Sequence, residues 1–307
     1  MTQKLRSVLF LAVVIMTGCA TVDSPGPASD DFRLTQAAQA DQIARLMTGR
    51  YIGLPMSASA EPSSGLIRLD IEIDPGSSAT QAVVRMRQSD PGATAPREFL
   101  LAFRPEAVST EPVLPNRLQG EFAPLNASGQ PVRSCPMDVM VFADGFVAET
   151  RTINCRFNSV DGEVALKKEI AHDGQRLVIG DRLEVADTGQ PVGTDQIIQF
   201  DRIQTYTGWA GVRDSADADW RLAGEFALES SGGRFVPQDA GGMDLNIAIE
   251  LAPYRWNVDE PSVLRLRAFD LESGQILGQS WANANASQIG LALPNLQVGL
   301  RLQSAIR

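Results

Sequence analysis

Between residues 66 and 73 apolar and charged side chains alternate without interruption, with Ile67, Leu69, Ile71 and Ile73 on one side and Arg68, Asp70 and Glu72 on the other. A period of two is that of a strand with one buried face. Residues 82–88 and 98–103 continue the series, separated from it and from each other by Asp74-Pro75-Gly76-Ser77 and Asp90-Pro91-Gly92, so the chain predicts a meander. A proline-punctuated segment, residues 104–133, holds one more strand around 118–122. Further strand-like runs lie at 164–170, 175–181, 182–186 and 196–203. Helical spacing precedes the meander: Ala37, Ala40, Ile43, Ala44 and Met47 recur between Asp30 and Asp31, which offer an N-cap, and Gly49, which offers a C-cap.

Many short strands imply a sandwich or a barrel. A meander of this length would leave two edges free to pair with other chains, and closure removes both. The expectation is an antiparallel barrel over residues 31–205 with one N-terminal helix. A small, polar stretch at 208–219 then marks a change of module. Runs at 245–251, 263–269, 276–281, 288–293 and 297–303 predict five strands in a second, smaller, sandwich-like β module over 206–307.

Residues 135–155 read as a β-hairpin with Cys135 and Cys155 at its outer ends and Asp144-Gly145 as a two-residue turn. Paired Cα atoms of antiparallel strands lie about 4.5–5.5 Å apart, which a disulfide can bridge. The N-terminus supplies the compartment. Lys4 and Arg6 precede an apolar run too short to span a bilayer, and Met16-Thr17-Gly18-Cys19 ends it as a lipobox. Residues 1–19 are therefore expected to be a lipoprotein signal with Cys19 acylated, and the Pro/Gly/Ser-rich residues 20–30 a tether. With Ala20 after the cysteine, the expected address is the periplasmic face of the outer membrane, held there by the lipid. Export reaches an oxidising space, so Cys135 and Cys155 should pair. A formal net charge of −10 argues against nucleic-acid partners.

The single histidine, His172, stands beside Asp173-Gly174 and reads as a solvated turn residue. With one histidine and no spare thiol, Cys/His metal sites are excluded, and no glycine-rich phosphate loop is present. Carboxylates at Glu149, Glu169, Asp181 and Glu184 fall on expected strands, where they more often face solvent. Arginine is the more informative class. Arg85 and Arg87 share one strand face, and Arg97, Arg104, Arg182 and Arg202 flank other strands. Gathered inside a barrel they would grip a ligand's carboxylates bidentately; on its outside they would form scattered ion pairs.

Several motifs taken together resemble the CpcT/CpeT-type chromophore lyases, over about residues 31–203. They are Leu46-x-x-Gly49-x-Tyr51 after the helix; Cys135-Pro136-Met137 with Gly145-Phe146-x-x-x-Thr150 and Cys155; and Asp181-Arg182, Gly189-x-x-x-Gly193 and Phe200-x-Arg202. Leu183 stands where that family has glycine. The resemblance implies a calycin-like β-barrel and, as an activity, attachment of a bilin to a protein cysteine. The first expectation is a lipoprotein whose barrel binds an amphipathic, tetrapyrrole-like ligand. Arg50, Arg85, Arg87, Arg182 and Arg202 would be its carboxylate partners and Tyr51, Phe99 and Phe103 its lining, with the C-terminal module a contact surface for an envelope partner. The alternative is a bilin lyase using Asp181 and Arg182. A structural envelope lipoprotein is the third possibility, and it predicts an interior filled by Leu, Ile and Phe.

Overall fold

The structure, a computed structural model, describes residues 30–55, 65–106, 116–151, 155–159, 162–257 and 260–303. The expected signal segment, the acylated Cys19 and the tether as far as residue 29 lie outside the described residues. Helix α1 covers Asp30–Met47 and buries Gln36, Ala40, Ile43, Ala44 and Met47, a row set by the 3.6-residue period. Gly49 follows it at φ +149°, a backbone conformation that glycine permits.

Eleven strands come next: β1 (Gly49–Pro55), β2 (Ile67–Ile73), β3 (Ala82–Ser89), β4 (Arg97–Pro105), β5 (Arg117–Pro124), β6 (Cys135–Val141), β7 (Phe146–Thr150), β8 (Arg156–Ser159), β9 (Gly162–His172), β10 (Arg176–Val185) and β11 (Pro191–Arg202). Each pairs antiparallel with its neighbour from β1 to β7. β9 then pairs with β10, β10 with β11, and β11 with β1, which closes a barrel. β7 and the short β8 lie end to end along the same edge of β9. The 175–181 and 182–186 runs are one strand, β10, with a bulge between Asp181 and Leu183.

Inside, the alternating residues form one packed core. Leu69, Met86, Leu101, Phe122, Ile170 and Phe200 are all buried, and α1 contributes Ile43 and Met47 to the same cluster. Gln36 fixes the helix at one end of the barrel: its amide donates to the carbonyl of Arg117 at 2.7 Å and accepts from the backbone N–H of Glu106 at 3.2 Å. That end carries the close of β4 and the start of β5. The helix is thus a plug.

Cys135 and Cys155 are bonded, with Cα atoms 4.9 Å apart. The hairpin between them differs from expectation in its turn. Phe142 N–H donates to the carbonyl of Gly145 at 2.8 Å, and Val141 pairs with Phe146, so Ala143 and Asp144 form the turn. Gly145 serves another purpose. A Cβ there would lie 1.9 Å from the carbonyl oxygen of His172, so glycine is required by close approach of two backbones.

The C-terminal module has eight strands rather than five: β12 (Thr205–Val212), β13 (Arg221–Glu229), β14 (Arg234–Phe235), β15 (Ile247–Tyr254), β16 (Val263–Asp270), β17 (Ile276–Asn283), β18 (Gln288–Leu293) and β19 (Leu296–Leu302). They form two four-stranded sheets, β13-β12-β19-β18 and β14-β15-β16-β17, which share a core that includes Tyr206, Ile249, Leu251, Leu266, Val298 and Leu300. This is a sandwich. β12 read as a polar link because it is rich in small residues. A Cβ on Gly208 would lie 2.3 Å from Leu300 and 2.9 Å from Phe226, so packing on the neighbouring strands demands that smallness. Gln199 of β11 donates to Ser262 at 3.2 Å, and Arg50 of β1 pairs with Glu229 of β13, linking barrel to sandwich.

Candidate functional site

The strand pleat sorts the eight expected ligand residues into groups that do not meet. Arg85 and Arg87 point outward. Arg85 donates to Asp74 at 3.0 Å and Glu98 at 3.3 Å, and Arg87 stands 3.8 Å from Glu98. Arg182 also faces out, held by Asp195 at 2.5–2.9 Å, and Arg50 pairs with Glu229. These are scattered ion pairs on the outside of the barrel. Such pairs contribute about 0–1 kcal/mol each.

Arg202 does point inward, but three of its donors are already used. Its guanidinium donates to the carbonyls of Leu46 and Thr48 and to the Tyr51 hydroxyl, each at 2.7 Å. Tyr51 in turn donates to the carbonyl of Met47 at 2.8 Å. Together they satisfy the last carbonyls of α1, which have no partners within the helix. Burial pushes the Tyr51 hydroxyl's pKa up, against the opposing pull of Arg202. Phe103 is wholly buried and meets Phe146 edge to face at 5.7 Å between centroids. Of the expected lining, Phe99 alone lies half-buried near the end opposite the helix, stacked on Phe122 at 5.4 Å.

Phe99 and Phe122 lead to a residue that the motif reading passed over. Lys168 of β9 is inward and 5% exposed. Its ammonium lies 4.6 Å from the Phe122 ring centroid and 5.8 Å from that of Phe99, and it donates to Oδ1 of Asp181 at 2.5 Å. Desolvation pushes the Lys168 pKa down, Asp181 pulls it back up, and Arg97 adds to the fall. At the same end of the barrel Gln88, also buried, donates to Asp90 at 2.7 Å, and Asp90 takes Arg97 at 3.0 Å. A signal for Lys168 does exist in the sequence. It interrupts the inward row Val164, Leu166, Ile170 of a strand that is otherwise regular.

Asp181 and Arg182, the expected catalytic pair, both line a groove of about 260 Å³ over β9, β10 and β11, with Lys167, Glu169 and Asp195. Their side chains go separate ways, Asp181 to Lys168 and Arg182 to Asp195. Asp181 stands at the bulge with its carboxylate 39% exposed and bonded to an interior cation. That arrangement can hold or exchange an anionic group beside an aromatic pair.

His172 is no turn residue. It is the last residue of β9, 3% exposed, stacked on Phe146 at 6.4 Å, and its Nδ1 accepts from the N–H of Gly174 at 2.9 Å. Burial first, and Arg202 second, lower its pKa to about 4. Among the described residues no cluster of His, Cys, Asp and Glu is arranged to hold a metal ion. No protein-family model matches the chain, and no curated protein matches its sequence.

Proposed function

We propose that the protein is a lipid-anchored envelope protein whose barrel binds an amphipathic, carboxylate-bearing ligand at the end opposite α1. The observation that carries this is Lys168, a cation buried beside Phe99 and Phe122 whose carboxylate partner, Asp181, is 39% exposed. A ligand carboxylate can take the place of Asp181 while its apolar part lies on the aromatic pair. The packed middle of the barrel limits such a ligand to this end. The anchor and the outer-membrane address rest on the sequence of residues 1–20.

The test is calorimetric titration of the chain from residue 20, which keeps every described residue, with oleate, biliverdin and haem. Saturable binding that weakens at least tenfold in Lys168→Met and is unchanged in Arg85→Met supports the reading. No uptake of any of the three, or equal affinity in Lys168→Met, moves the assignment to a structural envelope protein, for which the filled interior already speaks.

A further inference from the structure

The outer face of the sheet β14-β15-β16-β17 collects cations and aromatic rings in an otherwise acidic protein. Arg234, Arg265 and Arg267 surround one carboxylate, Glu250, which is 8% exposed. Arg267 satisfies it, at 2.5 and 3.0 Å. Arg234 stands 4.0 Å away and stacks on Phe269. Arg265 is the unsatisfied member. Its side chain is 12% exposed, its nearest approach to Glu250 is 3.8 Å, and its Nε is buried without a partner. Desolvation, then Arg267, push its pKa down. Three guanidinium groups against one carboxylate leave two positive charges uncompensated.

Aromatic rings continue from this cluster. The Arg265 guanidinium lies 4.5 Å from the Tyr254 centroid, Tyr254 meets Trp256 at 4.9 Å, and Trp256 meets Trp281 at 5.2 Å. Arg265 and Trp281 are cross-strand partners in the register of β16 and β17, so the two features are one surface. Trp256 and Trp281 are 52% and 41% exposed. Large rings left open to water beside unspent charge point to a ligand.

We propose that this face is a binding site for acidic saccharides, with sugar rings stacked on Trp256 and Trp281 and a ring carboxylate taken by Arg265. Indole faces suit the C–H faces of a pyranose, and a planar guanidinium suits a carboxylate. The polar neighbours fit hydroxyl groups. β17 alternates Leu277, Gln279, Trp281 and Asn283, and Asn257 lies beside Trp256, its amide on Glu260. A lipid surface is the less favoured occupant, because those amides would be stripped of water with no partner in hydrocarbon.

The experiment titrates the chain from residue 20 with galacturonate oligomers while tryptophan fluorescence is read, with cellohexaose as the uncharged control and phosphatidylglycerol vesicles as the lipid control. The expected result is a saturable change with the acidic oligomer, at least tenfold weaker with cellohexaose. Trp281→Ala and Arg265→Met should each weaken it at least tenfold, while Trp281→Phe keeps most of the affinity and circular dichroism shows all three folded. Equal binding of both oligomers, retained binding in the two variants, or a response to vesicles alone would overturn the assignment.

Discussion

Lys168 and Asp181 face each other across β9 and β10, and their charged groups meet at 2.5 Å, one side chain 6% and the other 39% exposed. The two halves of this pair are not equivalent. Asp181→Asn leaves a buried ammonium without its counter-ion and should destabilise the barrel by about 3–5 kcal/mol. Lys168→Met replaces the ammonium with an apolar group of similar volume and leaves Asp181 able to reach water, so its cost should stay under about 1 kcal/mol. Urea unfolding of both variants measures the asymmetry; equal losses would mean that Lys168 is well solvated.

His172 should make the fold acid-sensitive. Its folded pKa of about 4 lies below the 6.5 of an exposed histidine, so the unfolded chain takes up the proton first as pH falls. Its contribution is fully present above pH 6.5 and is lost on descending towards pH 4, by about 3 kcal/mol at 1.36 kcal/mol per unit. Burial is the main cause and Arg202 the second; protonating Nδ1 would also set two N–H donors against each other at Gly174. His172→Asn keeps an acceptor there and should flatten the dependence over that window. As the one histidine of the chain, it also gives an unambiguous nuclear magnetic resonance titration, expected to have its midpoint near pH 4.

The disulfide lies where β9 changes partner from β7 to β8. Thr150, the last residue of β7, bonds through its hydroxyl to the carbonyl of Leu166 and the N–H of Lys168, and Cys155 resumes contact with β9 through its carbonyl. Replacing both Cys135 and Cys155 by alanine should cost about 2–4 kcal/mol in urea unfolding. No change would mean that these side-chain bonds hold the junction unaided.

Glycine-to-alanine changes separate two uses of that residue. Gly129 has φ +72° with open space around it, so alanine there should cost about 1–2 kcal/mol, the price of the left-handed conformation. At Gly145 the added carbon would meet the His172 carbonyl at 1.9 Å, and a loss above about 3 kcal/mol is expected. Thermal melting of the two variants side by side is the check.

What could be read beforehand follows from which physics is local. Alternation in β2 and helical spacing in α1 are properties of a few neighbouring residues, and both elements stand where those patterns put them. Closure followed from the cost of free edges. Which face of β3 points inward was not legible, because Val83, Arg85 and Arg87 alternate against Val84, Met86 and Gln88, and both rows mix polar with apolar side chains; only register with β2 and β4 decides. Arg202 shows the same limit. Nothing in Phe200-x-Arg202 reveals that its partners are helix carbonyls more than 150 residues earlier. Trp256, Trp281 and Arg265 come from separate strands and coils, and meet only once the sandwich is formed.

The pairing of Tyr51 with Arg202 has a consequence for the order in which the molecule can form. These residues lie 151 positions apart, and the β1–β11 ladder that contains them shuts the barrel. Until residue 202 is available, β1 and β10 each keep an unpaired edge, and the carbonyls at the end of α1 lack Arg202. Folding should therefore be slow and cooperative, governed by one long-range closure rather than by the quick local hairpins. A chain emerging from its N-terminus would hold the helix and ten strands in waiting, open to stray edge pairing, until β11 arrives.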